Sequence, residues 1–210
     1  MVGADAALSI LDVGGGRGDL ALCVAAAMPA ASVMVVDTNL ASLADGAARA
    51  ATARLRNVEF VCADAASLGP RLRPDLVIGL HACGGLTDTI LRLATVPKEG
   101  GGFPSFLVVP CCFNKHAALR SACCDWTAHG GLSGAEVAAL CRLAESKDRG
   151  TSRRAMVLIN TLRMCAVQAA RGGQGGGGAS EGGGGEPPRL REFSEAHSMR
   201  NLVLSCSGLE

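Results

Sequence analysis

Three apolar runs, each closing on an aspartate, recur near the start of the chain: LSILDVG (8–14), SVMVVD (32–37) and VEFVCAD (58–64). Short runs of this kind, bounded by turn residues, predict strands buried within a sheet. Between them, GDLALCVAAAM (18–28) has helical spacing and is stopped by Pro29. NLASLADGAARAATARL (39–55) opens with an asparagine suited to cap a helix. Strands that alternate with helices are joined by crossovers, so the chain is expected to build a mainly parallel α/β sheet.

The pattern continues with expected strands at 74–82 (PDLVIGLHA) and 104–111 (PSFLVVPC) and a short helix at 87–94, where Thr87 and Asp88 are read as caps. Helices are expected at 134–145 and 153–171, and two last strands within RLREFS and NLVLSCS. That makes seven strands. A chain of 210 residues suffices for one such domain, so residues 1–210 are expected to form a single unit. The glycine tract GGQGGGGASEGGGGEPP (172–188) cannot bury a core and reads as a flexible insertion within it.

A net charge of +1 gives no general field for a polyanion, and 3% aromatics with no tyrosine leave few stacking platforms for bases. Arg71, Arg73, Arg153, Arg154, Arg189, Arg191 and Arg200 are candidates for a phosphate-binding face or for an ordinary solvated surface. Ten cysteines raise the question of disulfides. The N-terminus lacks a basic region followed by an apolar stretch, and Cys23, Cys62, Cys83, Cys141 and Cys165 lie in apolar segments as small hydrophobes do. A reducing, cytoplasmic location is expected. The best candidate for a membrane span, 155–170, contains Asn160 and Arg163, so no membrane association is expected.

Gly14, Gly15, Gly16 and Gly18 fall between the first strand and the first helix, where backbone N–H groups can face a ligand. Their spacing is G-x-G-x-G, one residue short of the dinucleotide pattern G-x-G-x-x-G, so a nicotinamide cofactor is not expected. Asp12 stands inside this motif. Asp37, at the end of the second strand, is placed to accept ribose hydroxyls, and Asp64, at the end of the third, to meet an adenine edge. Either acid serves equally well as a helix cap. Acids at three successive strand ends around a glycine turn point more strongly to a nucleoside.

The fourth and fifth strands end in LHACGGLTD and VVPCCFNKH. In an open parallel sheet the crevice lies beyond the carboxyl ends of the strands, so His81, Cys83, Cys111 and Cys112 are expected near one pocket. His81 is a candidate general base. Cys83 and Cys111 can equally be small buried packing residues. His81, Cys83, Cys111, Cys112 and His116 are of the types that bind zinc, but H-x-C and C-C-x₃-H lack a C-x₂-C knuckle, and no metal is expected. Cys123, Cys124 and Trp126 fall in a loop-like stretch and read as surface. His116, His129 and His197 read as solvent-facing.

The run LDVGGGRGDL, with VVD and CADA after it, resembles the class I S-adenosylmethionine-dependent methyltransferases. The H-x-C-G-x-x-T-D and P-C-C pair, with LCRLAES…SRRAM and FSEAHSMRNLVLS, is similar to one subgroup. It comprises the methyltransferase domains of the glutathione S-transferase C-terminal domain-containing proteins and related methyltransferase-like and tRNA methyltransferase domains. The resemblance spans 8–171 and 190–206 and implies a Rossmann-like fold with a C-terminal antiparallel strand. It implies that Asp12, Gly14, Gly16 and Gly18 cradle the methionine part of S-adenosylmethionine, Asp37 the ribose and Asp64 the adenine. His81, Cys83 and Cys112 become the candidate catalytic residues. The expected activity is methyl transfer to an RNA, with tRNA one candidate, or to a protein; no DNA partner is expected. The other expectation is a catalytically silent binding module, because only a few residues precede Leu8 and the helix that covers the cofactor in the family has no counterpart in this sequence.

Overall fold

The structure is a computed structural model and describes residues 7–68, 72–99, 101–113, 126–172, 186–196, 198 and 200–207. Strands β1 (Ser9–Val13), β2 (Ser32–Asp37), β3 (Val58–Cys62), β4 (Leu76–Ala82) and β5 (Ser105–Pro110) alternate with helices α1 (Asp19–Ala27), α2 (Leu40–Thr52) and α3 (Gly85–Leu93). Helices α4 (Trp126–His129), α5 (Gly134–Ala144) and α6 (Arg149–Gly172) follow, then β6 (Arg189–Glu192) and β7 (Leu202–Cys206).

The seven strands form one sheet in the order β3-β2-β1-β4-β5-β7-β6. β1 to β5 pair in parallel, while β7 runs antiparallel to both β5 and β6. This is the expected mixed α/β sheet. Order reverses between β1 and β4, which places the switch point where the glycine loop meets the H-x-C segment.

Alternation along the strands supplies a core on each face. Ile10, Val33, Val35 and Ile78 pack with Ala21 and Ala25 of α1 and Leu43 of α2. Leu11, Val13, Val36, Val77 and Phe106 pack on the other face with Ile90 of α3 and Ile159 of α6. Asn39 caps α2 as expected, its Oδ1 accepting the Ser42 N–H at 3.1 Å. Ser133 and Glu136 form a capping box at the start of α5.

Some expectations are corrected. α6 begins at Arg149, four residues before the expected start, where the Asp148 carboxylate accepts the Thr151 N–H at 2.7 Å. Trp126 is buried rather than on the surface and opens the unexpected helix α4. Cys23, Cys62 and Cys165 are exposed, since the apolar runs that contain them turn only one side inward; Cys141 and Cys206 are buried. His129 is exposed, as expected. Arg71, His116, Cys123, Cys124 and His197 lie outside the described residues, as does the glycine tract between Gly172 and Glu186. Among the described residues, no helix is long and apolar enough to cross a membrane.

Candidate functional site

β1 runs into a loop that only glycines can follow without strain: Gly16 sits at φ +53° and Gly18, which caps α1, at φ +70°. The Gly14 N–H donates to Val36 O at 2.7 Å, which ties the loop to the end of β2. Asp37 completes the attachment. Its Oδ2 accepts the Gly16 N–H at 2.9 Å and its Oδ1 accepts the Asn39 N–H at 2.8 Å. Asp37 therefore faces the glycine loop and at the same time steadies the entry to α2.

Asp12 is buried at 1% exposure, and its Oδ1 has no hydrogen-bond partner among the described residues. Oδ2 lies beside Gly15, where a Cβ would come within 2.5 Å of it. Burial, and secondarily the charge of Asp37, pushes the Asp12 carboxyl up to about 7. An orphaned acid beside a glycine turn is what a cationic ligand with N–H donors would satisfy. The residues present thus fit a sulfonium cofactor with an α-amino group. Asp64 differs from expectation: β3 ends at Cys62, and Asp64 lies just beyond it, exposed, its Oδ1 accepting the Ala66 N–H of a single 3₁₀ turn at 2.9 Å.

The H-x-C segment follows β4. The register between β4 and β5 shifts between Leu80 and Ala82, and His81 stands at this bulge with φ +59°. A left-handed non-glycine residue is strained, and such residues concentrate at functional sites. The His81 side chain is exposed, while its carbonyl oxygen lies 3.3 Å from Cys111 Sγ. Cys83 Sγ and Cys111 Sγ are 2.6 Å apart, and Cys111 Sγ lies 3.6 Å from Cys112 Sγ. Burial first, then the neighbouring thiols, pushes the Cys111 thiol well up; Cys112 is also raised, again chiefly by burial. Neither is a free thiolate at neutral pH. Leu86 joins the two halves of the crevice, because a Cβ on Gly14 would meet its Cδ2 at 2.7 Å.

Thr87 and Asp88 do not cap α3, which begins at Gly85 behind Gly84. Thr87 Oγ1 donates to Ala82 O at 2.8 Å, and Asp88 is buried against Arg163 of α6. Arg163 was notable in the sequence only as a charge in an apolar stretch; nothing local signals its partner 75 residues away. The arginines considered for phosphate binding are partly committed elsewhere. Arg153 pairs with Glu192, Arg189 with Glu186 at 2.8 Å and Arg200 with Glu145 at 2.6 Å.

A family model described as a methyltransferase domain matches residues 2–118, more than half of the chain. The chain belongs to this family. The match covers the methyltransferase domain's glycine loop, all three strand-end acids and the H-x-C and P-C-C segments. A tRNA (guanine-N(7)-)-methyltransferase of Rubrobacter xylanophilus is 42% identical to it over 71 residues. That stretch is 34% of this chain and 32% of the relative, so the match spans about a third of the relative's length. Among solved structures, an rRNA methylase from Streptococcus thermophilus aligns with a TM-score of 0.51 at 10% identity, covering 98% of this chain and 89% of that one. The S-adenosylmethionine-dependent methyltransferase SibL, in its apo form, aligns with a TM-score of 0.52 at 17% identity, covering 97% of this chain and 51% of that one. Both likenesses establish that this methyltransferase domain shares their fold.

Proposed function

We propose that this chain binds S-adenosylmethionine at the glycine loop and catalyses methyl transfer to an RNA acceptor, with tRNA the first class to test. Asp12, buried beside Gly15 with one carboxylate oxygen unpartnered among the described residues, is the observation that carries this reading. The cofactor supplies an electrophilic methyl group on a positively charged sulfur.

Asp12 and the backbone of Gly14, Gly16 and Gly18 hold the charged methionine end. Asp37, fixed by the Gly16 and Asn39 N–H groups, keeps acceptor capacity for ribose hydroxyls. Asp64, at the outer edge of the crevice, addresses the adenine. His81, Cys83 and Cys112 border the acceptor end, and His81 takes the acceptor's proton. Displacement at a methyl carbon is in line, so most of the acceleration comes from positioning the two reactants. The RNA acceptor rests on the Rubrobacter relative's name and on no basic face in this chain. Free thiols at Cys23, Cys62 and Cys165 support a reducing, cytoplasmic setting, and we take residues 1–210 as one domain with 172–188 inserted in it.

Incubating the protein with methyl-labelled cofactor and separate pools of total RNA and protein tests the proposal. Label in the RNA pool, lost in Asp37→Ala, supports it. Label only in the protein pool overturns the acceptor class, and cofactor binding without label in either pool favours a silent binding module.

A further inference from the structure

Parallel strand pairing brings together residues that are far apart in sequence. β4 and β5 pair with Ala82 opposite Pro110, so the next residues on each strand, Cys83 and Cys111, emerge side by side, with Cys112 next to them. All three sulfurs lie within 4.8 Å of one another, and all three residues are half-buried. Backbone bonds frame the group: the Gly84 N–H donates to Cys112 O at 2.6 Å, and the Cys111 thiol donates to His81 O at 3.3 Å. A C-x₂-C knuckle is one way to converge two sulfurs; two adjacent strand ends are another.

We propose that Cys83, Cys111 and Cys112 form a three-thiolate binding site for a zinc ion. A tetrahedral ion with zinc–sulfur bonds of about 2.3 Å separates its sulfurs by about 3.8 Å. Cys111 and Cys112, at 3.6 Å, already meet that spacing despite being consecutive. Cys83 Sγ, at 2.6 Å from Cys111 Sγ, would retreat by about 1 Å, within reach of a small change in its side-chain torsion. Three soft sulfurs select zinc over magnesium or calcium. Among the described residues no fourth His, Cys, Asp or Glu joins the group. The ion would fasten the end of β4 to the end of β5 beside the strained His81 bulge and so set the acceptor wall of the crevice. The site stands on the sulfur geometry alone and does not depend on the cofactor reading.

The test uses the full chain, reduced, stripped with a chelator and handled without oxygen, then titrated with cobalt(II) and zinc. One cobalt per chain, with sulfur-to-cobalt charge-transfer absorption that one equivalent of zinc abolishes, is the expected result. Cys83→Ser and Cys112→Ser should each weaken binding at least about tenfold, while Cys23→Ser leaves it unchanged. A second measurement needs no variant: zinc should protect Cys83, Cys111 and Cys112 from alkylation, read by mass spectrometry, while Cys62 and Cys165 stay reactive. Absence of the charge-transfer band, or equal alkylation with and without zinc, would overturn the proposal. So would a Cys83–Cys111 disulfide in protein kept with zinc and without oxygen.

Discussion

Arg163 Nε and Nη2 hold the two carboxylate oxygens of Asp88 at 2.8 and 3.0 Å, and both side chains are only 2% exposed. Arg163 also donates through Nη1 to Asn160 Oδ1 at 3.1 Å and through Nη2 to Gly84 O at 3.4 Å, and it lies over the rings of Phe113 and Trp126. One guanidinium thus fastens α6 to the first turn of α3 and to the backbone next to Cys83. Removing one partner strands a buried charge. Asp88→Ala or Arg163→Ala should therefore cost about 3–5 kcal/mol. The double replacement by leucine should cost less than the sum of the single ones, a comparison that urea denaturation can make.

The Asp12 carboxyl gives a pH dependence of definite sign. It titrates near 3.8 when unfolded and is pushed up to about 7 in the fold by burial and by Asp37. Well below pH 3.8 both states carry the proton and the group adds no pH dependence. Between the two values the folded state keeps a proton that the unfolded chain has released, so stability falls as pH rises. Up to pH 8 the loss is roughly 4 kcal/mol. Asp12→Asn should remove that part of the slope, seen as a smaller difference between denaturation midpoints at pH 5 and pH 8. A cationic methyl donor favours the ionised carboxylate, so its affinity in the unmutated chain should rise between pH 6 and pH 8 by calorimetry.

Asp37 holds two backbone N–H groups, one from the glycine loop and one at the entry to α2. Asp37→Ala should lower stability by about 1 kcal/mol, chiefly through the part-buried Gly16 N–H it leaves unpaired. It should also abolish the calorimetric heat of S-adenosylmethionine binding. Heat equal to that of the unmutated chain would remove the cofactor assignment for this residue.

His81 separates strain from function. Left-handed backbone costs a non-glycine residue about 1–2 kcal/mol, and glycine adopts it freely at some entropic cost. His81→Gly should therefore raise the denaturation midpoint slightly while lowering the rate of methyl transfer. His81→Ala should lower the rate with no gain in stability. A rate unchanged in both variants would exclude His81 as the base.

The chain's own pattern determined the parallel frame, the glycine turn and the acids at the ends of β1 and β2, because each is a local requirement. A buried strand needs an apolar run, a left-handed loop needs glycine, and a helix start needs a cap such as Asn39. It also placed His81 and the cysteines near the ends of neighbouring strands. Only the tertiary structure decided which of them meet. Strand register sets Cys83 against Cys111, and packing between α3 and α6 turns Asp88 from a cap into the partner of Arg163. The same packing buries Trp126 while Cys23, Cys62 and Cys165 stay outside. An apolar run states that a segment is packed; the side it presents, and the residue it finds there, depend on chain far away in sequence.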